Sequence, residues 1–203
     1  MKKFTLIAFL ILIVLGCDSK DKFEKHEPNK DAVKLYKKAC KIGMFENEYN
    51  EKVDRAVSIL EKAIKIDPLY IEPHLGIIGF ANLDKDKTKA LKYCHRAERF
   101  YKNFPEFFVI EGFLRESTNE DQKAKNLYKK ALYIYENDLI DEMDEHPDLK
   151  LNYIECLYLN NQSNKATKKL EELKANNKQD DFYKGLTMEM IMEPYRALKK
   201  GCP

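Results

Sequence analysis

AVSILEKA at residues 56–63, ALKYCHRA at 90–97 and AKNLYKKA at 124–131 are one pattern written three times at a fixed spacing of 34 residues. Each holds a small, a larger and a second small residue at i, i+4 and i+7: Ala56, Leu60, Ala63; Ala90, Cys94, Ala97; Ala124, Tyr128, Ala131. Residues at that spacing share one stripe of an α-helix, and small side chains on the stripe let a second helix approach closely. Ala166, Leu170 and Leu173 restore the stripe a fourth time, now 42 residues after the third. The surplus of eight falls in the acidic stretch 138–146 (DLIDEMDEH), which forms either a longer third helix or a separate short turn.

A helix pair of period 34 resembles the tetratricopeptide repeat (TPR), and Ile66-Asp67-Pro68 is similar to the proline that ends a repeat in that family. The resemblance covers residues 31–178 and implies an all-α fold: a right-handed solenoid of about four helix pairs closed by a C-terminal capping helix. The expected pairs span 31–68, 69–104, 105–137 and 147–178, with the acidic insertion at 138–146. Residues 179–203 are the expected cap and tail: Phe182, Leu186, Met190, Tyr195 and Leu198 make one amphipathic helix over 180–200 that Pro194 should kink, since the open end of a solenoid needs covering. Pro73, Pro105 and Pro147 mark three helix starts, where a missing amide costs nothing. A polar loop is expected at 45–51, a turn at 83–88 and a helix over about 87–102. The family's small residue falls on Gly112 in the third pair, whereas the second has Ile78 there, flanked by Gly76 and Gly79.

Ahead of the repeats, Lys2 and Lys3 precede a nearly unbroken apolar run from Phe4 to Leu15, too short to span a bilayer comfortably. Val14-Leu15-Gly16-Cys17 resembles the lipobox of bacterial lipoproteins. That resemblance implies a signal peptide (1–16) removed before Cys17, which would carry acyl chains and hold the protein to the cell envelope, facing periplasm or exterior. Asp18 is similar to the inner-membrane retention signal of enteric bacteria. Residues 17–30 then form a polar tether, setting the domain off by about 20 Å on average. The alternative is a plain secretory signal or an uncleaved anchor.

Composition bounds the function classes. Charged residues make up 34% and hydrophobic ones 44%, with no Trp, which suits a folded, helix-rich chain. The formal charge of +2 falls to 0 once Lys2 and Lys3 are removed, so no general attraction to nucleic acid is expected. The four histidines stand apart from one another without an HExxH or His-x3-His pair, which argues against a catalytic zinc. The stretch from Asp84 begins like a calcium loop but has Lys89 and His95 where the glycine and glutamate belong. No GxSxG, phosphate loop or GxGxxG occurs, so neither an enzyme nor a bound cofactor or metal is expected. Cys40, Cys94, Cys156 and Cys202 fit neither CxxC chemistry nor a zinc ribbon; by position they read as unpaired core residues, with a disulfide as the alternative.

TPR proteins bind peptides or partner proteins along the concave face made by the first helix of each pair. The alanine register maps that groove onto Glu72, Leu75, Gly79 and Asn82, then Glu106, Val109, Phe113 and Glu116, then Asp148, Leu151, Glu155 and Tyr158. Their mixture of acidic and apolar groups suits a basic and hydrophobic segment. The expected function is therefore a membrane-anchored, non-catalytic scaffold for an envelope protein. The alternative is a small-ligand or metal-binding surface lipoprotein using the acidic stretch Asp138, Asp141, Glu142, Asp144, Glu145 and Asp148.

Overall fold

The computed structural model describes residues 26–45, 49–83, 86–143 and 146–193, and within them the protein is all-α. Backbone contacts divide the chain into two compact units at Lys102/Asn103. The first holds α1 (Lys30–Phe45), α2 (Tyr49–Ile66), α3 (Ile71–Leu83) and α4 (Lys87–Glu98). The second holds α5 (Pro105–Glu116), α6 (Asp121–Asn137), α7 (Pro147–Leu159), α8 (Ser163–Asn176) and α9 (Asp181–Gly185).

In the first unit α1 packs on α2, α2 on α3 and α3 on α4, and α1 also reaches α3. Its core is built from Ala32, Tyr36 and Ala39 of α1, the triplet Ala56, Leu60 and Ala63 of α2, and Ile77 and Phe80 of α3. The alanines are spacers: Leu60 lies 3.1 Å from where a Cβ on Gly76 would stand, and the end of α1 rests on Phe80 at Gly43, where no side chain would fit. Asp67 closes the α2–α3 turn from inside. It is 5% exposed, and its carboxylate takes the His26 ring at 2.6 Å, the Asn29 amide at 2.8 Å and the Leu69 amide at 3.2 Å. The chain ahead of α1 is thereby pinned to the turn after α2.

In the second unit α5 packs on α6, α6 on α7, α7 on α8 and α8 on α9. The two hairpins use the same turn. Asn119 and Asn161 stand at φ 62° and 60°, a left-handed conformation that asparagine tolerates better than other residues with a Cβ. In each, the next amide returns to the helix just ended: Glu120 to the Arg115 carbonyl and Gln162 to that of Leu157, both at 2.9 Å, satisfying carbonyls that the helix end leaves over. These turns are 42 residues apart, the offset of Ala124 and Ala166. The surplus therefore lies between α6 and α7, and of the two forms allowed by sequence the structure has the short turn: α6 ends at Asn137 and residues 138–143 form turns.

All twelve stripe residues are buried, none more than 3% exposed. Pro105 and Pro147 occupy the first turns of their helices. Other boundaries differ from expectation. The helix expected to reach about residue 102 stops at Glu98, and beyond it Phe100 and Tyr101 lie against the His74 ring, with centroids 5.6 and 5.8 Å away. The helix expected to follow the 45–51 loop already begins at Tyr49. The single C-terminal helix is two pieces: α9 ends at Gly185, Leu186 takes an extended conformation, and helix resumes at 188–193. The break falls at Leu186, whose backbone is extended at φ −64° and ψ 136° and whose side chain is buried, 4% exposed. Pro194, Tyr195 and Leu198 lie outside the described residues, as do Cys17 with the whole leader and Cys202.

Candidate binding surface

The expected groove positions divide by burial. Leu75 and Asn82 on α3, Val109 and Phe113 on α5 and Leu151 on α7 are buried, each at most 8% exposed. Phe113 packs against the Tyr128 ring at 5.5 Å between centroids, and Asn82 accepts a hydrogen bond from the Lys87 ammonium. These side chains fill the units. Surface is kept by Glu72 and Gly79 on α3, Glu106 and Glu116 on α5, and Asp148, Glu155 and Tyr158 on α7, all half-buried. What stays at the surface of the second unit is thus more acidic than the full set of positions suggested, with Tyr158 as its aromatic member.

Asp148 and Glu106 each reach another helix of the unit. Asp148 accepts from the Tyr183 hydroxyl at 2.8 Å, so α9 lies against that end of α7. Glu106 joins three helices: its Oε1 accepts from the Tyr135 hydroxyl of α6 and from Asn152 Nδ2 of α7, both at 2.9 Å. Its Oε2 is buried and accepts no hydrogen bond. Burial raises the Glu106 carboxyl above its ordinary range and outweighs the two donors, its position in the first turn of α5 notwithstanding. The same enclosure pushes up the Tyr135 hydroxyl and the Cys156 thiol. Sequence reading placed Glu106 on the groove but gave Tyr135 and Asn152 no part in it, since partners 29 and 46 residues away follow no helical period.

Beside the face, Arg115 is held by Glu111 at 2.8 Å and by Glu120 at 3.1 Å. This fixes the end of α5 next to Glu116. On α3, burial raises the Glu72 carboxyl, and Asp67 adds to the shift. Cys94 and Cys156 are buried thiols and Cys40 is half-buried, each on the apolar side of its helix as expected. Of the acidic stretch, Asp138 and Asp141 are exposed and Glu142 is half-buried, while Asp144 and Glu145 lie outside the described residues. Among the described residues no three His, Cys, Asp or Glu side chains converge as they would around a metal ion, and no helix is long and apolar enough to cross a membrane. Compared with known protein families and with curated proteins, the sequence matches none.

Proposed function

We propose that the chain is a TPR-like right-handed solenoid of four helix pairs, lipid-anchored at Cys17 in a bacterial envelope, and that it is a non-catalytic scaffold for a basic and hydrophobic segment of another envelope protein. The observation that carries the reading is the burial of the stripe at all four occurrences, including the one displaced to an offset of 42. A helical chain without repeats has no reason to bury the same stripe four times with alanine at its first position each time. Gly112 adds support: it stands where the family keeps a small residue, and the Tyr128 ring fills the space its missing side chain leaves.

The binding face of the second unit is Glu116, Glu155 and Tyr158, two carboxylates with one phenol. It suits lysine or arginine side chains alternating with apolar ones. Pull-down of the mature chain from envelope extract tests the reading. The informative pair is Glu155→Lys with Tyr158→Ala, both half-buried; Phe113→Ala would open the core instead. Loss of about tenfold or more in recovery is expected, since truncating a hot-spot aromatic costs about 2 kcal/mol or more. Undiminished recovery would move the site elsewhere. The anchor is tested separately: radiolabelled palmitate should enter the wild-type chain and not Cys17→Ser, and label in both, or in neither, would refute it.

A further inference from the structure

Helix α1 carries five lysines, Lys30, Lys34, Lys37, Lys38 and Lys41, and all are exposed. At 3.6 residues per turn they fall in a sector about 100° wide. The opposite side of the same helix is its core face, Ala32, Tyr36, Ala39 and Ile42, each at most 7% exposed. The lysines therefore form a straight row about 16 Å long on the outside of the first unit, by the helical rise per residue. Asp31 stands at the edge of the row, 2.8 Å from Lys34. The row itself contains no acidic residue.

We infer that this lysine row docks α1 on an anionic phospholipid surface, laying the first unit against the membrane instead of leaving it at the end of a tether. The inference rests on the proposed anchoring through Cys17, and charge complementarity selects the occupant. A straight row of ammonium groups with no aromatic or apolar side chain between them meets a planar array of headgroups better than it meets a groove or a base stack. Clusters of four to eight lysines on an amphipathic helix have this use, each contributing roughly a fivefold factor in partitioning. The location agrees: α1 is the first helix of the described residues and starts 15 residues after the apolar run Phe4–Leu15 ends, so whatever anchors the chain through that run brings α1 near the bilayer. The contact is electrostatic, so it weakens as salt shortens the screening length.

The full chain, purified in detergent, is mixed with vesicles of phosphatidylcholine alone or with about 30 mol% phosphatidylglycerol, floated, and acetylated at lysine with an impermeant reagent. Expected is flotation with both vesicles. With the anionic ones, labelling at the five α1 lysines should be slowed about fivefold relative to Lys62 and Lys129, and the protection should vanish in about 0.5 M salt. Replacing Lys30, Lys37 and Lys41 by glutamine should abolish the protection of the remaining Lys34 and Lys38 while circular dichroism stays unchanged. Flotation with equal labelling in both vesicles overturns the docking and leaves the anchor standing. Flotation and protection with anionic vesicles alone support the docking and refute the anchor. No flotation with either overturns both, and protection by an acidic polypeptide or DNA but not by vesicles assigns the row to a different partner.

Discussion

Gly112 and Gly79 make a matched pair of tests at the scale of one side chain. A methyl group on Gly112 would run into the Tyr128 ring, which has nowhere to go, since Tyr128 is 1% exposed. Gly112→Ala should lower the stability of the second unit by about 1–3 kcal/mol in urea titration. At Gly79, inside α3, an added Cβ meets nothing within 4 Å. Gly79→Ala should be neutral or raise stability by about 0.5–1 kcal/mol, because it removes backbone freedom from the unfolded chain. Two buried titratable groups make the units respond to pH in opposite senses. The Glu106 carboxyl is raised when folded, so its contribution is full below the ordinary glutamate value and is lost as pH rises through the folded one. Tyr135, Asn152 and Cys156 surround it, and no lysine or arginine of the described residues pairs with it. Glu106→Gln should therefore stabilise the second unit at pH 8 relative to wild type, with the difference shrinking toward pH 4; a gap of constant size would remove Glu106 as the cause. His74, 3% exposed with Nε2 3.0 Å from the Pro68 carbonyl, is lowered chiefly by burial. Its contribution is present above the ordinary histidine value and lost as pH falls through the folded one. The first unit should weaken as the medium is acidified below about 6.5, and His74→Gln should flatten that limb.

At the scale of helices and turns, the seams and the hairpins are separate determinants. Ala131 is fully buried on α6, and Ala131→Leu would overfill the core beneath that helix at a cost of about 1–3 kcal/mol, measurable as a lowered urea midpoint at unchanged slope. Asn161 tests the turn: glycine there should raise stability by about 0.5 kcal/mol and valine lower it by about 1–2 kcal/mol, because a β-branched residue resists the left-handed conformation. What the sequence revealed about these elements follows from how local each signal is. Ala56, Leu60 and Ala63 are legible because a helix brings i, i+4 and i+7 together whatever the rest of the chain does. Pro105 and Pro147 are legible for the same reason. The early end of α4 was hidden, since the contacts of Phe100 and Tyr101 beyond it are with His74, some 26 residues back along the chain. The Glu106 junction was hidden more deeply, since its three members sit on three helices.

For the molecule as a whole, the described residues place one buried cysteine in each compact unit, Cys94 in the first and Cys156 in the second. Both should resist maleimide in the native protein and react on opening, Cys156 with a further delay because burial raises its thiol. They serve as separate stability reporters. Gly112→Ala should speed labelling of Cys156 by about tenfold per 1.4 kcal/mol lost, and Ile77→Ala, at a fully buried position of the first core, should do the same for Cys94. The division also separates the proposed tasks, lysines on the first helix and the acidic face on α5 and α7.

The grip of Asp67 on His26 and Asn29 sets a working radius. Only nine peptide steps separate Cys17 from His26, and at no more than about 3.5 Å per step the leash cannot exceed roughly 30 Å. Under the anchoring proposed at Cys17, the first unit would stay in a layer no deeper than that over the lipid.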